Sequence, residues 1–212
     1  MIGLGRFGTS VASSLMSLGS DVLAIDRDPR LVQKWSDQLS QAVEADGTDA
    51  GALKSLGLEG FPHAVVAIGS DIEASVLTVL ALSELGVGDI WAKAVNRNHG
   101  RILERTGAHH VVFPEAEMGQ RVAHLVVGKM VDFIEFDDDF AIAKVRTPWS
   151  IVGQRLLVAR VPEKFGVTVL GLKRQHSEFM PATPELVVEK DDLLVVSGPT
   201  RKVERFASHG RP

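Results

Sequence analysis

Three glycines near the start of the chain, in Gly3-Leu4-Gly5-Arg6-Phe7-Gly8, have the spacing of a loop that wraps a pyrophosphate. In such a loop the first glycine permits a tight turn. The second lets a phosphate come close to the backbone, and the third lets the following helix lie against a sheet. The helix that follows, with Val11, Ala12, Leu15, Met16 and Leu18 at helical spacing, then offers its free N–H groups and positive dipole end to an anion. The next apolar run, Asp21 to Asp26, ends in an acid 18 residues after Gly8. A carboxylate there holds ribose hydroxyls and repels a 2′-phosphate, which favours NAD(H), ATP or ADP over NADP. The same glycine spacing also serves a bare turn in an α/β fold, and that alternative stays open.

Further polar groups fall at the ends of later strands. Asp46-Gly47-Thr48-Asp49 follows the run Gln41–Ala45, and either caps a helix or faces the adenine of a nucleotide. Arg27 follows the ribose acid, Ala67 and Gly69 close the run Ala64–Ile68, and Lys93 lies in the run Ile90–Val95. The candidate nucleotide site is therefore Gly3, Gly5, Arg6, Phe7, Gly8, Asp26, Arg27, Asp46, Thr48, Ala67, Gly69 and Lys93.

These residues need a scaffold of alternating strands and helices. The runs at 21–26, 41–46, 64–68, 90–95 and 110–114 read as strands, and Met1-Ile2 as a very short first one. Only two residues precede Gly3, so either the start is incomplete or this central strand is unusually short. Helical spacing connects the strands over 29–39, 53–58 and 72–85, with a further helix around Ile102-Leu103. Six strands alternating with helices make a doubly wound parallel sheet. Glu115 to Val131 reads as a long amphipathic helix carrying Met118, Val122, Leu125, Val126 and Met130, with more apolar surface than one side of a monomer needs. The acidic run Glu135–Asp139 reads as a solvated linker. Beyond it, strands at 140–145, 167–172 and 193–198, with short helices at 151–157 and 200–207, make a small α+β domain. The expected division is a nucleotide-binding domain over 1–116, a crossover helix and linker over 117–138, and a C-terminal domain over 139–209.

Composition narrows the function classes. The chain of 212 residues is 45% hydrophobic and 24% charged, with net charge −4 and no basic stripe, so nucleic acid is not an expected partner. Cysteine is absent, which excludes disulfides, thiolate zinc sites and thiol catalysis. No apolar stretch of about 18 residues occurs, so no membrane span is expected, and no signal peptide is read at the start.

Several separated segments together resemble the RCK (regulator of conductance of K⁺) family of Trk/Ktr type. They are Ile2–Gly8, Ala45–Asp49, Ala92-Lys93-Ala94 with His99, Ile102, Leu103 and Gly107-Ala108, Val112–Glu115 with Met118-Gly119, and Phe165-Gly166-Val167 with Asp191-Asp192-Leu193. The second half resembles the family's C-terminal domain, also called TrkA-C. The resemblance implies a non-catalytic cytoplasmic gating subunit at the inner face of the membrane, partnered by a potassium channel subunit of the TrkH/KtrB type. It implies dimers assembled in a ring, an octamer, with ATP/ADP or NAD(H) in each Rossmann unit. It places Arg6 near a terminal phosphate of a neighbouring subunit's nucleotide, where a guanidinium makes planar paired contacts; a solvent-facing first-turn arginine is the other reading. It matches Glu115 to an acid that helps hold a divalent cation at the dimer interface, although an acid at a helix start also complements the dipole. The family's cyclic di-AMP pattern is not reproduced at Leu156, Leu157, Arg160, Pro162, Thr168 and Val169, so that ligand is not expected. An NAD-dependent dehydrogenase is the rival reading. It would need an acid/base residue over the nicotinamide, and the C-terminal part offers only His176 and His209.

Overall fold

Apolar runs of small and branched residues form a parallel sheet because both of its faces are covered by helices. In the computed structural model, which describes residues 1–126, 130–136 and 139–209 (His124 and Leu125 without their side chains), the chain divides into two compact units, Met1–Glu117 and Met118–Pro212.

In the first unit the elements alternate: α1 (Arg6–Ser17), β1 (Leu23–Asp26), α2 (Pro29–Trp35), β2 (Gln41–Glu44), α3 (Ala50–Ser55), β3 (His63–Val66), α4 (Ile72–Glu84), β4 (Asp89–Lys93), α5 (Arg97–Thr106), β5 (His110–Val112) and the start of α6 (Pro114–Val126). β1 pairs with β2, and β3 with β4 with β5, all in parallel. The expected first strand shrinks to one residue, Ile2, which bridges Ile25 on one side and Val66 on the other. Its neighbourhood supplies four short backbone bonds, Ile2 N to Val65 O, Gly3 N to Ile25 O, Ile25 N to Met1 O and Ala67 N to Ile2 O, all 2.7–2.8 Å. The lateral order is therefore β2-β1-Ile2-β3-β4-β5, and the direction of winding reverses beside Ile2. Ligands of doubly wound sheets lie at such a reversal, outside the carboxyl ends of the strands.

Ala24 and Ile25 are successive strand residues and point to opposite faces. Ala24 packs with Leu4, Ala12 and Leu39 under α1 and α2. Ile25 packs with Leu53, Val79, Leu82, Ile90 and Leu103 under α3, α4 and α5. His99 is buried in this unit, where its Nδ1 accepts from the Val95 amide at 3.3 Å. Burial lowers its pKa from the ordinary value of 6.5. The unfolded chain therefore takes up a proton at higher pH than the folded chain. Stability should fall as pH drops from 6.5 through the depressed folded pKa, then level off. Comparing thermal midpoints of wild type and His99→Gln between pH 4 and 8, roughly the range over which histidine changes charge, should show a steeper loss in the wild type, because the carboxylates with lowered pKa, Asp46 and Glu115, contribute equally to both.

In the second unit β6 (Asp132–Phe136), β7 (Phe140–Arg146), β8 (Thr168–Lys173), β9 (Phe179–Pro181) and β10 (Leu193–Pro199) form an antiparallel sheet in the order β6-β7-β10-β8-β9. The helices α7 (Leu156–Ala159), α8 (Val161–Phe165) and α9 (Thr200–Ser208) accompany it, and Val145, Leu172, Leu194, Val203 and Phe206 form its core. Here the structure corrects several expectations. The α6 helix is described to Val126; Met130 is outside it and buried in the second core, while residues 127–129 lie outside the described set. The expected acidic linker begins as strand, since Glu135 and Phe136 pair in β6; Asp137 and Asp138 lie outside the described residues. The helix expected at 151–157 is a 3-10 turn at Trp149–Ile151, an extended Val152, a turn at Gly153 with φ +78°, and only then α7.

Candidate functional site

The glycine loop is shaped by two close approaches. Gly3 has φ +96°, and a Cβ there would stand 3.2 Å from the Ala67 carbonyl carbon. A Cβ on Gly8 would overlap the Gly3 carbonyl oxygen and touch Ala67 Cβ at 3.0 Å. Gly5 differs from both. Its φ of −68° and ψ of −177° suit any residue, and a Cβ there would meet nothing within 4 Å. It is the N-cap of α1, no side chain caps the helix, and the first turn holds no acid. The open space above Gly5 thus faces a bare positive helix end.

Asp26 fixes the loop from the side. Its Oδ2 accepts from the Leu4 amide at 2.6 Å and its Oδ1 from the Asp28 amide at 2.9 Å. The expected ribose acid therefore also holds the glycine loop against β1. Arg27 reaches across to Asp71, with 4.0 Å between Nη1 and Oδ2. Asp46 accepts from both the Thr48 amide at 2.9 Å and the Thr48 hydroxyl at 2.8 Å. These bonds, and secondarily the Arg27 charge, hold its carboxyl below the usual range.

On the other side of the loop, Lys93 at the end of β4 donates to Glu115 in the first turn of α6 at 2.6 Å. Its ammonium also lies 5.7 Å from the Phe7 ring centroid, and a Cβ on Gly69 would stand 3.1 Å from it. The lysine bond comes first among the causes that lower the Glu115 pKa, and the Arg6 charge adds to them. Arg6, Phe7, Gly69, Lys93 and Glu115 thus form one cluster, and Asp26, Arg27, Asp46 and Thr48 another, with the glycine loop and Ala67 between. Asp71 was not among the candidates; its signal was its place just before Ile72, the first residue of α4.

Among the described residues the oxygen donors do not converge on a metal centre. Glu115 is bound to Lys93, and no group of three His, Asp or Glu able to hold a metal occurs among the described residues. A cation beside Glu115 would need oxygens from phosphates and from a second copy. His176 lies in a turn with φ +61°, and His209 sits 2.6 Å from the Arg205 carbonyl at the end of α9, both in the second unit. No helix among the described residues is long and apolar enough to cross a membrane.

A parallel, doubly wound unit with an open glycine loop, followed by a small antiparallel unit, defines a two-part protein of the RCK class. The chain belongs to the TrkA family of RCK regulatory subunits: the TrkA-N domain matches residues 1–114 and the TrkA-C domain residues 140–209. It is 37% identical over 207 residues to Ktr system potassium uptake protein C of Bacillus subtilis (strain 168), spanning 97% of this chain and 94% of that protein. To Ktr system potassium uptake protein A of the same organism it is 34% identical over 211 residues, spanning 99% and 95%. The solved GsuK channel bound to NAD shares the fold with a TM-score of 0.65, at 17% identity, over 100% of this chain and 39% of that one.

Proposed function

We propose that the chain is a non-catalytic regulatory subunit of a potassium-uptake channel, which it controls from the cytoplasmic face by binding ATP/ADP or NAD(H) in the N-terminal unit. The observation that carries the nucleotide reading is Gly5, a residue that its own fold does not require to be glycine, placed on an uncapped helix end. Its lack of a side chain is explained by a phosphate that approaches the backbone there. The relatives named for potassium uptake support the transport role, and the NAD-bound GsuK channel shows a nucleotide in a protein of this fold.

In this reading Asp26, Arg27, Asp46 and Thr48 face the adenosine half. Gly3, Gly5 and Gly8 hold the phosphates, with Phe7, Ala67, Gly69 and Lys93 beyond them. Arg6, exposed in the first turn of α1, reaches a terminal phosphate across a subunit contact. Dimers form through α6, whose Met118, Val122 and Val126 are exposed, and they assemble into a ring of eight on a channel of the TrkH/KtrB type. A ligand shifts such a ring only through its different affinity for two ring shapes, and a γ-phosphate that meets Arg6 supplies that difference. The test is rubidium flux in liposomes holding the protein with the channel subunit from the same source. ATP and ADP should give fluxes that differ by roughly fivefold or more, and Arg6→Ala should remove the difference. Equal flux with every nucleotide would overturn the regulatory reading.

A further inference from the structure

The adenosine edge of the cleft carries three carboxylates, and backbone amides hold each in place. Asp26 accepts from Leu4 and Asp28, Asp46 from Thr48, and Asp71 Oδ1 from the Ala74 amide at 3.0 Å as the N-cap of α4. Arg27 lies among them. Its guanidinium points to the second oxygen of Asp71, Oδ2, and its charge also acts on Asp46. Capping α4 occupies Oδ1, and Oδ2 is left facing Arg27. At 4.0 Å, with side chains 70% and 39% exposed, this pair adds little stability. Its consequence is the position of a positive charge.

That position decides something. An arginine close to the ribose acid is the feature that admits a 2′-phosphate in dinucleotide sites. Arg27 directly follows that acid, so the sequence offers the site such an arginine. In the fold, however, the guanidinium is drawn toward Asp71 and Asp46, and three fixed negative charges face one positive charge at the ribose edge. We propose that Asp71 is a specificity-determining residue of the adenosine subsite: it holds Arg27 toward the start of α4 and so excludes ligands that carry a 2′-phosphate. The selection thus rests on the pair Asp71–Arg27 as well as on the ribose acid. This inference depends on the nucleotide reading given above.

The test is calorimetric titration of the full chain with ADP and with 2′-phospho-ADP. Wild type should prefer ADP by about tenfold or more, a free-energy gap of about 1.4 kcal/mol. Asp71→Asn keeps a cap acceptor but removes the charge, and it should narrow that ratio by about fivefold. Adding Arg27→Ala to Asp71→Asn should restore the preference, because the released guanidinium is what then meets the 2′-phosphate. Asp71→Ser, which also caps a helix, should narrow the ratio as Asp71→Asn does. If ADP binds but the ratio is the same in Asp71→Asn, or if Arg27→Ala changes it equally with and without Asp71, the inference is overturned and the nucleotide reading stands. If neither ADP nor any other adenosine nucleotide binds the wild type, both are overturned.

Discussion

Gly8→Ala is expected to destabilise the N-terminal unit by about 3 kcal/mol, near the upper end for inserting one methyl group into a packed interior. The new Cβ would overlap the Gly3 carbonyl oxygen and press on Ala67. Neither neighbour has room to retreat. Gly3 is already in the left-handed region against the Ala67 backbone, and its amide is tied to Ile25. Ala67 in turn is tied to Ile2, which bridges Ile25 and Val66 where the two halves of the sheet meet. A shift of any of the three opens the seam at Ile2. Urea denaturation followed by far-ultraviolet circular dichroism should show the loss; an unchanged midpoint would mean that the helix is free to move away from the loop.

Gly5→Ala, three residues earlier, is expected to behave in the opposite way. The backbone there already suits alanine, and the added methyl group meets no protein atom. Alanine is a poorer N-cap than glycine, but it also restricts the unfolded chain, so folding stability should stay within about 1 kcal/mol of wild type. Nucleotide affinity should fall about a hundredfold, close to 2.7 kcal/mol, because in the proposed site the methyl group stands where the pyrophosphate approaches the backbone. Titration calorimetry beside a denaturation curve separates the two effects. A variant that loses stability but keeps affinity would assign Gly5 to the fold and remove the main support for the site.

Much of this arrangement was legible in the residues. The glycine loop, the acid that ends β1 and the alternation of apolar runs with helical spacing all depend on local pattern, and they led to the parallel sheet and to the strand ends that carry the proposed site. The α6 helix shows where local pattern fails. Met118, Val122, Val126 and Met130 recur every four residues, so nothing in the spacing marks Met130 as a core residue of the next unit. β6 was hidden because Glu135 continues into a run of acids, and charge density there suggests solvent rather than a strand. β9 is three residues long and ends in proline, too short for an alternating pattern. The bond from the Leu4 amide to Asp26 and the ion pair of Arg27 with Asp71 join residues 22 and 44 positions apart, and they follow only from the lateral order of strands. Asp26 was thus read for its ligand chemistry, while its hold on the loop needed the fold.

Nucleotide binding by the N-terminal unit is read most directly from the thermal midpoint of the wild-type full chain with ATP, ADP, NAD⁺ and NADH in separate titrations. At least one should raise the midpoint in a concentration-dependent way, by about 2.7 kcal/mol of stabilisation when present at roughly 100 times its Kd. A midpoint that none of the four moves at millimolar concentration, roughly the level at which even weak binding registers, would contradict the account.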